Sequence, residues 1–462
     1  MVTTVRTPIR RISLAAPSAP PRPDSFNAET LERLSAWKGD PDWVREKRRL
    51  AWRFYEEIPM PTSNDEEWRR TDIRPLRLDQ IVPFQQEEVS PLKGFRALPS
   101  WVREKSAAEA RGGGLLIHRD ASAVYAHLSE EIQRQGVIFT DLDTAARQYP
   151  DLVQRYFMTE AVTLDANKFA ALHGAFWTGG TFLYVPKNVE VQLPLYSLTY
   201  LSSPTRHNFG HVLLVADEGS SVTFVEEQLS DAREETPQAM HAGAVEIYLR
   251  PGSLVRYIWL QDWGRNVWNF STQRAILEQD SVLQWYVGAF GSRLTKANLE
   301  LTLMGRGARA ELAGLLFADD QQHMDHHTYQ NHLSGLTGSD LLFKGALRDR
   351  ARSVYQGLIR IHKDAQRSDA YQNNRNLLLS KQARADSIPS LEIEANDVRC
   401  THGATAGPVE EEHVFYLMSR GLSRREAEHL IVDGFFAEVL QRIPLERVRE
   451  RLREAVIRKF GA

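Results

Sequence analysis

The chain has 462 residues, a formal net charge of −3, and a composition that is 42% hydrophobic and 25% charged. This balance is ordinary for a globular protein, and the length corresponds to two to four domains of about 100–200 residues each. The nearly neutral charge argues against a protein that binds nucleic acid or an anionic membrane by electrostatic attraction.

Residues 1–25 are predicted to be a disordered leader, because they are rich in proline and small polar residues. The first 23 residues contain four arginines and no acid. The apolar patch around Ile12–Ala16 is too short for a secretory signal, and no apolar run in the chain reaches the roughly 18 residues of a membrane helix. We therefore expect a cytoplasmic protein, although the composition of the leader also admits a plastid transit peptide.

Residues 26–179 are predicted to form a mostly helical domain, because apolar residues recur there at helical spacing. Trp68 lies in a polar turn of this region and is interpreted as an anchor for packing. The expected helices are Asn27–Trp37, Pro41–Glu57, a helix near Ala121–Arg134, Asp141–Phe157 and Leu164–Phe176, and the expected strands are Leu115–His118 and Val137–Phe139.

Residues 180–405 contain a succession of short segments with the composition and period-two pattern of strands. Similar turns separate many of these segments, such as Arg250-Pro-Gly252-Ser and Gly305-Arg-Gly307-Ala, and they recur at irregular intervals of roughly 15–35 residues. The segments are Phe182–Val185, Val189–Leu193, Val212–Val215, Val222–Val225, Val245–Leu249, Leu254–Leu260, Val282–Val287 and Leu301–Leu303.

This internal repeat predicts a parallel β-helix, in which each coil buries its surface by stacking on the next coil. A β-sandwich is the competing interpretation. It requires hairpin signals such as Asn-Gly or Asp-Gly between neighbouring strands, and none occurs in residues 180–405. The fold class is therefore mainly β, with helical regions that cap the solenoid at both ends.

Residues 406–462 are predicted to be a helical C-terminal domain. Pro408 is expected to open its first helix, and Arg420-Gly421 to end it, since glycine readily adopts the left-handed conformation. Ser423 and Glu426 form the spacing of a capping box for the next helix. A strongly charged amphipathic helix is predicted at Leu445–Phe460.

The single cysteine, Cys400, lies two residues from His402 at the boundary between the β-rich core and the helical tail. In a strand these two side chains point to the same face. One cysteine excludes an internal disulfide, and it also excludes an iron–sulfur cluster held by this chain's thiolates alone, because such clusters take about four. Any cluster must therefore be shared with another chain. The alternative is a small buried cysteine beside an ordinary histidine.

Two other polar groups have structural explanations. His323-Met-Asp325-His326-His327, with His332, is a possible zinc or iron site, but neighbouring histidines in a strand point to opposite faces. The amide-rich segment Asp369–Ser380 is typical of ladders that satisfy stacked polar groups. The chain contains no phosphate-binding loop, so it is not expected to bind and hydrolyse ATP by itself, and it contains no serine nucleophile elbow.

Four segments together resemble the SufB/SufD family of iron–sulfur cluster assembly, and its SufD branch most closely. They are Asp369–Ser380, Leu391–Thr405 with its Cys-x-His motif, Glu411–Ser423, and the Pro59–Arg70 region. The resemblance implies a right-handed parallel β-helix between helical regions. It also implies a non-catalytic scaffold that works with a SufB-like scaffold chain and a SufC-like ABC-type ATPase.

The resemblance further implies that a transient iron–sulfur cluster is bound at the interface with the partner, with His402, and Cys400 beside it, contributed by this chain. The ATPase is expected to contact Tyr416, Arg420, Gly421 and Leu422. SufB-like chains carry a cysteine at the position of Ile393 and a glutamate at that of Gly403. Their absence makes this chain poorly suited to hold the cluster by itself.

Two alternatives remain open at this point. In the first, the chain is a SufB-like homodimer that holds a cluster alone, so that the isolated chain dimerises and binds iron in a manner dependent on Cys400. In the second, it is a β-helical carbohydrate-active enzyme that uses paired acids and the His323–His332 group.

Overall fold

The computed structural model describes residues 24–85, 94–106, 109, 112–120, 122–230 and 236–461. The α-helices in these residues are α1 (Ala28–Lys38), α2 (Asp42–Glu57), α3 (Ser100–Ser106), α4 (Glu130–Arg134), α5 (Leu142–Gln148), α6 (Pro150–Tyr156), α7 (Lys168–Phe176), α8 (Glu411–Ser419), α9 (Arg424–Arg442) and α10 (Glu446–Lys459). Short 3-10 helices occur at Glu66–Trp68, Leu78–Gln80 and Phe95–Ala97.

Between these helical regions the chain consists almost entirely of strands. They are β1 (Gly114–Arg119), β2 (Ser122–Leu128), β3 (Ile138–Asp141), β4 (Gly179–Val185), β5 (Leu195–Tyr200), β6 (Gly210–Ala216), β7 (Ser221–Leu229), β8 (Ala239–Leu249), β9 (Leu254–Asp262), β10 (Val267–Leu277), β11 (Val282–Ala289), β12 (Leu294–Leu303), β13 (Arg309–Ala318), β14 (His323–His332), β15 (Gly338–Leu347), β16 (Arg352–Ile361), β17 (Asp369–Leu378), β18 (Arg384–Ile393) and β19 (Arg399–Pro408).

From β4 to β17, every strand pairs in parallel with the second strand after it. The odd-numbered strands from β5 to β19 therefore form one sheet, which β1 and β2 complete to ten strands and which we call the odd-numbered sheet. The even-numbered strands from β4 to β18 form a second sheet, which β3 completes to nine strands and which we call the even-numbered sheet. Lys296 of β12 pairs with Asp325 of β14, 29 residues later, so one coil contains two strands and two turns. This arrangement confirms the predicted parallel β-helix. It also explains the irregular turn spacing, because the turns belong to two different edges.

The turns along one edge of the solenoid share a residue in the left-handed conformation. These residues are Gly219, Gly252, Asp280 and Gly307, with φ between 54° and 76°. Each donates its backbone N–H to the corresponding turn of the next coil, as Gly252 does to the carbonyl of Gln279. A Cβ on Gly307 would lie 2.1 Å from Oδ1 of Asp280. The repeated turn type of the sequence is thus the stacking element of this edge.

Three apolar layers hold the protein together. The space between the two sheets is filled by side chains from both, including Trp259, Trp285 and Phe343. Helix α7 packs on the outer face of the even-numbered sheet, and α2 packs on α7. Trp68 joins this layer against Phe169 and Phe270. Helices α9 and α10 pack on the outer face of the odd-numbered sheet. The helical regions therefore pack on the outer faces of the solenoid. The prediction that they cap both of its ends was wrong, because the last strands, β18 and β19, are not covered by the C-terminal helices.

Several predictions were wrong in detail. Val189–Leu193 is irregular, with an isolated bridge at Glu190 in place of the predicted strand. The predicted helix Asp141–Phe157 is divided into α5 and α6, because the residue before Pro150 is disfavoured in a helical conformation. Most of the segment near Ala121–Arg134 is strand β2, antiparallel to β1, and only residues 130–134 are helical. Its local helical preference is overridden because β1 pairs with β5 and so continues the odd-numbered sheet. Pro408 is the last residue of β19, and α8 begins at Glu411. An edge strand tolerates a proline because the missing N–H has no partner to lose. None of the helices among the described residues is long and apolar enough to cross a membrane.

Candidate functional site

The C-terminal end of the solenoid is open. Strands β18 and β19 are the last strands of their sheets, and within the described residues no further strand pairs with their outer edges. Neither strand contains a fully buried residue, whereas every earlier strand of the coil does. At the opposite end, β2 and β3 close the sheets by antiparallel pairing. The open end therefore presents unpaired backbone groups and partly exposed side chains.

Cys400 and His402 both lie on β19 at this open end. Cys400 pairs with Ala370 and His402 with Gln372 of β17, whose side chains are buried inside the coil. The two residues therefore share the inward-facing side of their strand, as predicted. Because no coil covers them, His402 is exposed and Cys400 is half-buried.

The environments of the two side chains differ. Cys400 packs against an apolar cluster that includes Ile359, Ile361 and Ala395. Burial, with a smaller contribution from the charge of Asp369, raises the pKa of the Cys400 thiol to about 11. A thiol in such surroundings stays protonated at neutral pH and is a weak ligand, since metals bind the thiolate. His402 is the more accessible donor of the pair.

A layer of buried amides forms the floor beneath this end. Gln372 lies directly below His402, and its Nε2 donates to the carbonyl of Gly357 at 3.3 Å. Asn376 Nδ2 donates to Oδ1 of Asn374 at 2.7 Å, and Ser387 donates to the same oxygen. These amides bond to each other, to Ser387 and to the backbone, and Asn376 Oδ1 is the one amide oxygen of this group that lacks a partner among the described residues. The bonds support the structural interpretation of the Asp369–Ser380 segment.

The histidine-rich strand β14 lies two coils away from Cys400 and its side chains alternate between the two faces. His326 and His332 point into the coil, where His332 bonds to Thr337 and Ser339. His323 and His327 point outwards to the N-terminal segment. Among the described residues, no group of three His, Cys, Asp or Glu side chains is arranged to hold a metal ion.

The outward-facing side of β14 binds the N-terminal segment through a buried ion pair. Lys296 Nζ lies 2.8 Å from Oδ2 of Asp325 and donates to the carbonyl of Glu67 at 2.7 Å. Thr71 also donates to Asp325, and the Lys296 ammonium lies 5.1 Å from the centre of the Trp68 ring. This group fastens the 66–71 segment to the solenoid.

A shallow groove of about 340 Å³ crosses the outer face of β11, β13, β15 and β17, and its lining contains three acids, Glu311, Asp340 and Asp369. Glu311 and Asp340 lie opposite each other on adjacent strands. Arg442 of α9 lies 3.5 Å from the first carboxylate and 3.0 Å from the second. Burial raises the pKa of Glu311, and the Arg442 charge opposes that shift. The Glu311 and Asp340 carboxylates therefore hold α9 on the sheet through Arg442.

Helix α8 projects from the solenoid with Val414 as its buried residue. The capping box of Ser423 and Glu426 is present, and Arg424 ties α9 to Glu411 of α8 with contacts of 3.0 Å and 2.6 Å. Arg420 lies over the Tyr416 ring at 5.2 Å, and Gly421 has φ 96°. The structure thus places three of the predicted partner residues on one helix–turn, with Leu422 partly buried beside them.

Exposed apolar side chains accompany Tyr416 on α8, and one more lies on the neighbouring helix α9. Phe415 is 74% exposed, Tyr416 is 56% exposed, and Met418 and Leu430 are also exposed. We call these four residues the α8 patch. The prediction from sequence missed Phe415, Met418 and Leu430. Phe415 and Met418 could have been found from the sequence, since α8 carries apolar residues on more than one face and they cannot all be buried.

Comparison with known proteins agrees with this architecture. Residues 199–435 match the family model for the SUF system FeS cluster assembly SufBD core domain, and residues 120–196 match that for the SufBD protein N-terminal region. The iron–sulfur cluster assembly protein SufD of Bacillus subtilis is 32% identical over 94% of this chain and 98% of its own length.

Two further relatives show similar identity. The iron–sulfur cluster assembly protein SufB of Bacillus subtilis is 29% identical over 90% of both chains. An iron–sulfur cluster assembly SufBD family protein of Staphylococcus haemolyticus is 30% identical over 90% of this chain and 89% of its own length. The matched residues extend from the N-terminal region through the solenoid to α9. The chain therefore belongs to the SufBD family of iron–sulfur cluster assembly proteins.

Proposed function

We propose that this chain is a SufD-like, non-catalytic scaffold that pairs with a SufB-like chain and binds a SufC-like ATPase. The observation that carries the proposal is the open C-terminal end of the solenoid, with exposed edges on β18 and β19 and with His402 on its inward-facing side. Long unprotected strand edges pair readily with another chain. A partner that adds strands there would extend both sheets and cover His402.

The cluster under assembly is the cargo of this interface. His402 supplies an accessible imidazole, which is a good ligand for iron. Cys400 is half-buried and its thiol pKa is raised, so thiolate ligands would come from the partner chain. This division agrees with the presence of a single cysteine in the sequence.

The α8 patch is the proposed contact for the ATPase. It combines large exposed apolar side chains with Arg420, a composition that is typical of interaction hot spots. Its position also suits force transmission, because α8 continues directly from β19, which carries His402. ATP hydrolysis in the partner would then act on the open end through this connection.

We expect Tyr416→Asp to weaken capture of the ATPase by at least about tenfold, because it places a charge in the centre of an apolar contact. The measurement is the amount of SufC-like ATPase that co-purifies with the tagged chain after co-expression with a SufB-like partner. Tyr149→Asp is the matched control, since Tyr149 is also exposed but lies on the N-terminal region. Equal ATPase recovery with both variants, or elution of the unmodified chain without either partner, contradicts the proposal.

We expect His402→Ala to reduce the iron and acid-labile sulfide of the purified complex severalfold while the complex still assembles. The reason is that an exposed ligand is removed without disturbing any buried contact. Iron, sulfide and subunit ratios are measured together under anaerobic conditions. His413→Ala, an exposed histidine on α8, serves as the control. Unchanged iron and sulfide in the His402 variant would rule out this residue as a ligand.

A second candidate is a SufB-like homodimeric scaffold, which the similar identity to a SufB relative favours. It predicts that the isolated chain dimerises through its open end and gains colour and iron after anaerobic reconstitution. It also predicts that Cys400→Ala abolishes this binding. The SufD-like proposal predicts little iron in the isolated chain and little effect of Cys400→Ala on the complex.

A further inference from the structure

Three buried titratable side chains are joined in a hydrogen-bonded series where the N-terminal helices meet the solenoid. His173 of α7 bonds through Nδ1 to the carbonyl of Ala242 at 2.8 Å and through Nε2 to Nδ1 of His211 at 3.0 Å. His211 of β6 bonds through Nε2 to Oε2 of Glu246 on β8 at 3.1 Å. All three side chains are fully or almost fully buried. The site described above uses none of them.

The number of protons that this series of side chains needs follows from its hydrogen bonds. Both ends are acceptors, a backbone carbonyl and a carboxylate oxygen, and the three links between them each need one proton. Two neutral imidazoles supply one N–H each. With an ionised carboxylate, only two protons are available for three links. One of the three links would then have no proton, and two lone pairs would face each other in a buried site, which costs free energy.

We propose that His173, His211 and Glu246 form a proton-storing relay that holds one additional proton and uses it to fasten α7 to the solenoid. With that proton on Glu246, all three links are satisfied. The carboxyl O–H donates to His211 Nε2, His211 Nδ1–H donates to His173, and His173 Nδ1–H donates to the carbonyl of Ala242. The relay stays electrically neutral in this state.

The surroundings place the proton on the carboxyl group. Burial raises the pKa of Glu246 to about 7, although the backbone N–H groups of Met158 and Val162 and the charge of Lys47 act to lower it. Burial lowers the pKa of His211 to about 3 and lowers that of His173 well below its usual value. The other titratable or charged groups that face the relay are Arg48 of α2, Tyr156 of α6, and His241 and Tyr248 of β8.

Loss of the proton from Glu246 would change the hydrogen bond at the opposite end of the relay, between His173 and the carbonyl of Ala242. Once Glu246 is ionised, His211 Nε2–H donates to the carboxylate because a charge-assisted bond is the stronger one. His173 Nε2–H must then donate to His211 Nδ1. The bare Nδ1 of His173 faces the carbonyl of Ala242, so the contact between α7 and β8 is weakened. A pH change near neutrality is thereby converted into a looser joint between the N-terminal helices and the solenoid.

The test follows the tautomer of His173 by NMR of the full chain labelled with ¹⁵N-histidine, between about pH 6.5 and pH 8.5. We expect His173 to carry its proton on Nδ1 at the acidic limit and on Nε2 at the basic limit, with a midpoint near 7. Glu246→Gln should keep the Nδ1–H tautomer at every pH, since the amide N–H replaces the stored proton. Glu226→Gln, at a buried carboxyl inside the coil that contacts Tyr257, should leave the switch unchanged.

An unchanged His173 tautomer across this pH range in the unmodified chain would overturn the proposal. A switch that persists in Glu246→Gln would overturn it as well, because the proton would then be stored elsewhere. Should Glu246→Gln fail to fold, the titration of the unmodified chain decides the question alone. A His173 midpoint that coincides with the carboxyl titration of Glu246 in difference infrared spectra supports the relay, and separate midpoints exclude it.

Discussion

Lowering the pH from 7 to between about 5 and 6 is expected to unfold this protein cooperatively. The cause is a set of buried histidines whose pKa burial lowers, in most cases to about 3 or 4. The set also includes one histidine whose pKa is lowered well below its usual value. These seven residues are His118, His173, His211, His241, His323, His326 and His332.

The sign follows from proton binding. Between about pH 6.5 and pH 4 the unfolded chain protonates these histidines and the folded chain does not, so stability falls as the pH falls. One pH unit below the unfolded pKa, each histidine costs about 1.4 kcal/mol, and seven cost about 10 kcal/mol. This is comparable with a typical stability of about 5–15 kcal/mol. Glu246, with its pKa raised to about 7, gains stability on acidification and offsets about one histidine.

Tryptophan fluorescence and circular dichroism against pH measure this transition. His326→Leu is expected to move the midpoint to lower pH, because neither ring nitrogen of His326 has a hydrogen-bond partner among the described residues. His413→Gln changes an exposed side chain and should leave the midpoint where it is. A protein that stays folded at about pH 4, or equal shifts in both variants, would show that the buried histidines do not set acid stability.

Asp325→Ala is expected to destabilise the protein by about 3–5 kcal/mol, because it leaves the Lys296 ammonium buried without its counter-charge. The Asp325 pKa is lowered by Lys296 and His327, against the effect of burial, which shows how strongly the carboxylate is held. Loss of the pair should also release the 66–71 segment from β14. Chemical denaturation measures the first effect, and hydrogen exchange of the segment that contains Trp68 measures the second.

Two further variants distinguish the loss of a buried counter-charge from the loss of side-chain volume and from the loss of an exposed ion pair. Replacing both partners, Lys296→Met with Asp325→Leu, should recover most of the stability, since no buried charge remains. Glu130→Ala breaks the exposed pair with Arg134 and should cost no more than about 0.5 kcal/mol. If Asp325→Ala costs as little as Glu130→Ala, the buried pair does not fasten the N-terminal segment.

Much of the architecture could be predicted because it is encoded locally. The period-two strands and the recurrent Gly and Asp turns indicate a solenoid, and the capping box at Ser423 and the turn at Gly421 mark helix ends by short-range hydrogen bonds and backbone preference. The presence of one cysteine likewise limits the ligands available to a cluster without any knowledge of the fold.

The errors arose where distant segments decide the conformation. The β2 strand replaced a predicted helix because β1 pairs with β5, about 80 residues later in the chain, and β2 pairs with β1. Pro408 predicts a helix start because its fixed φ suits that position as well as it suits the end of a strand. Its actual place at the end of β19 depends on the absence of a further coil.

Local sequence encodes the recurrent strands and turns, the helical segments and the two-residue spacing of Cys400 and His402, because these depend on neighbours within a few residues. Long-range packing leaves the last coil uncovered, makes Cys400 half-buried while His402 is exposed, and joins His173, His211 and Glu246 by hydrogen bonds. Burial and pairing depend on which distant side chains lie on the next coil or helix, and local spacing does not specify them.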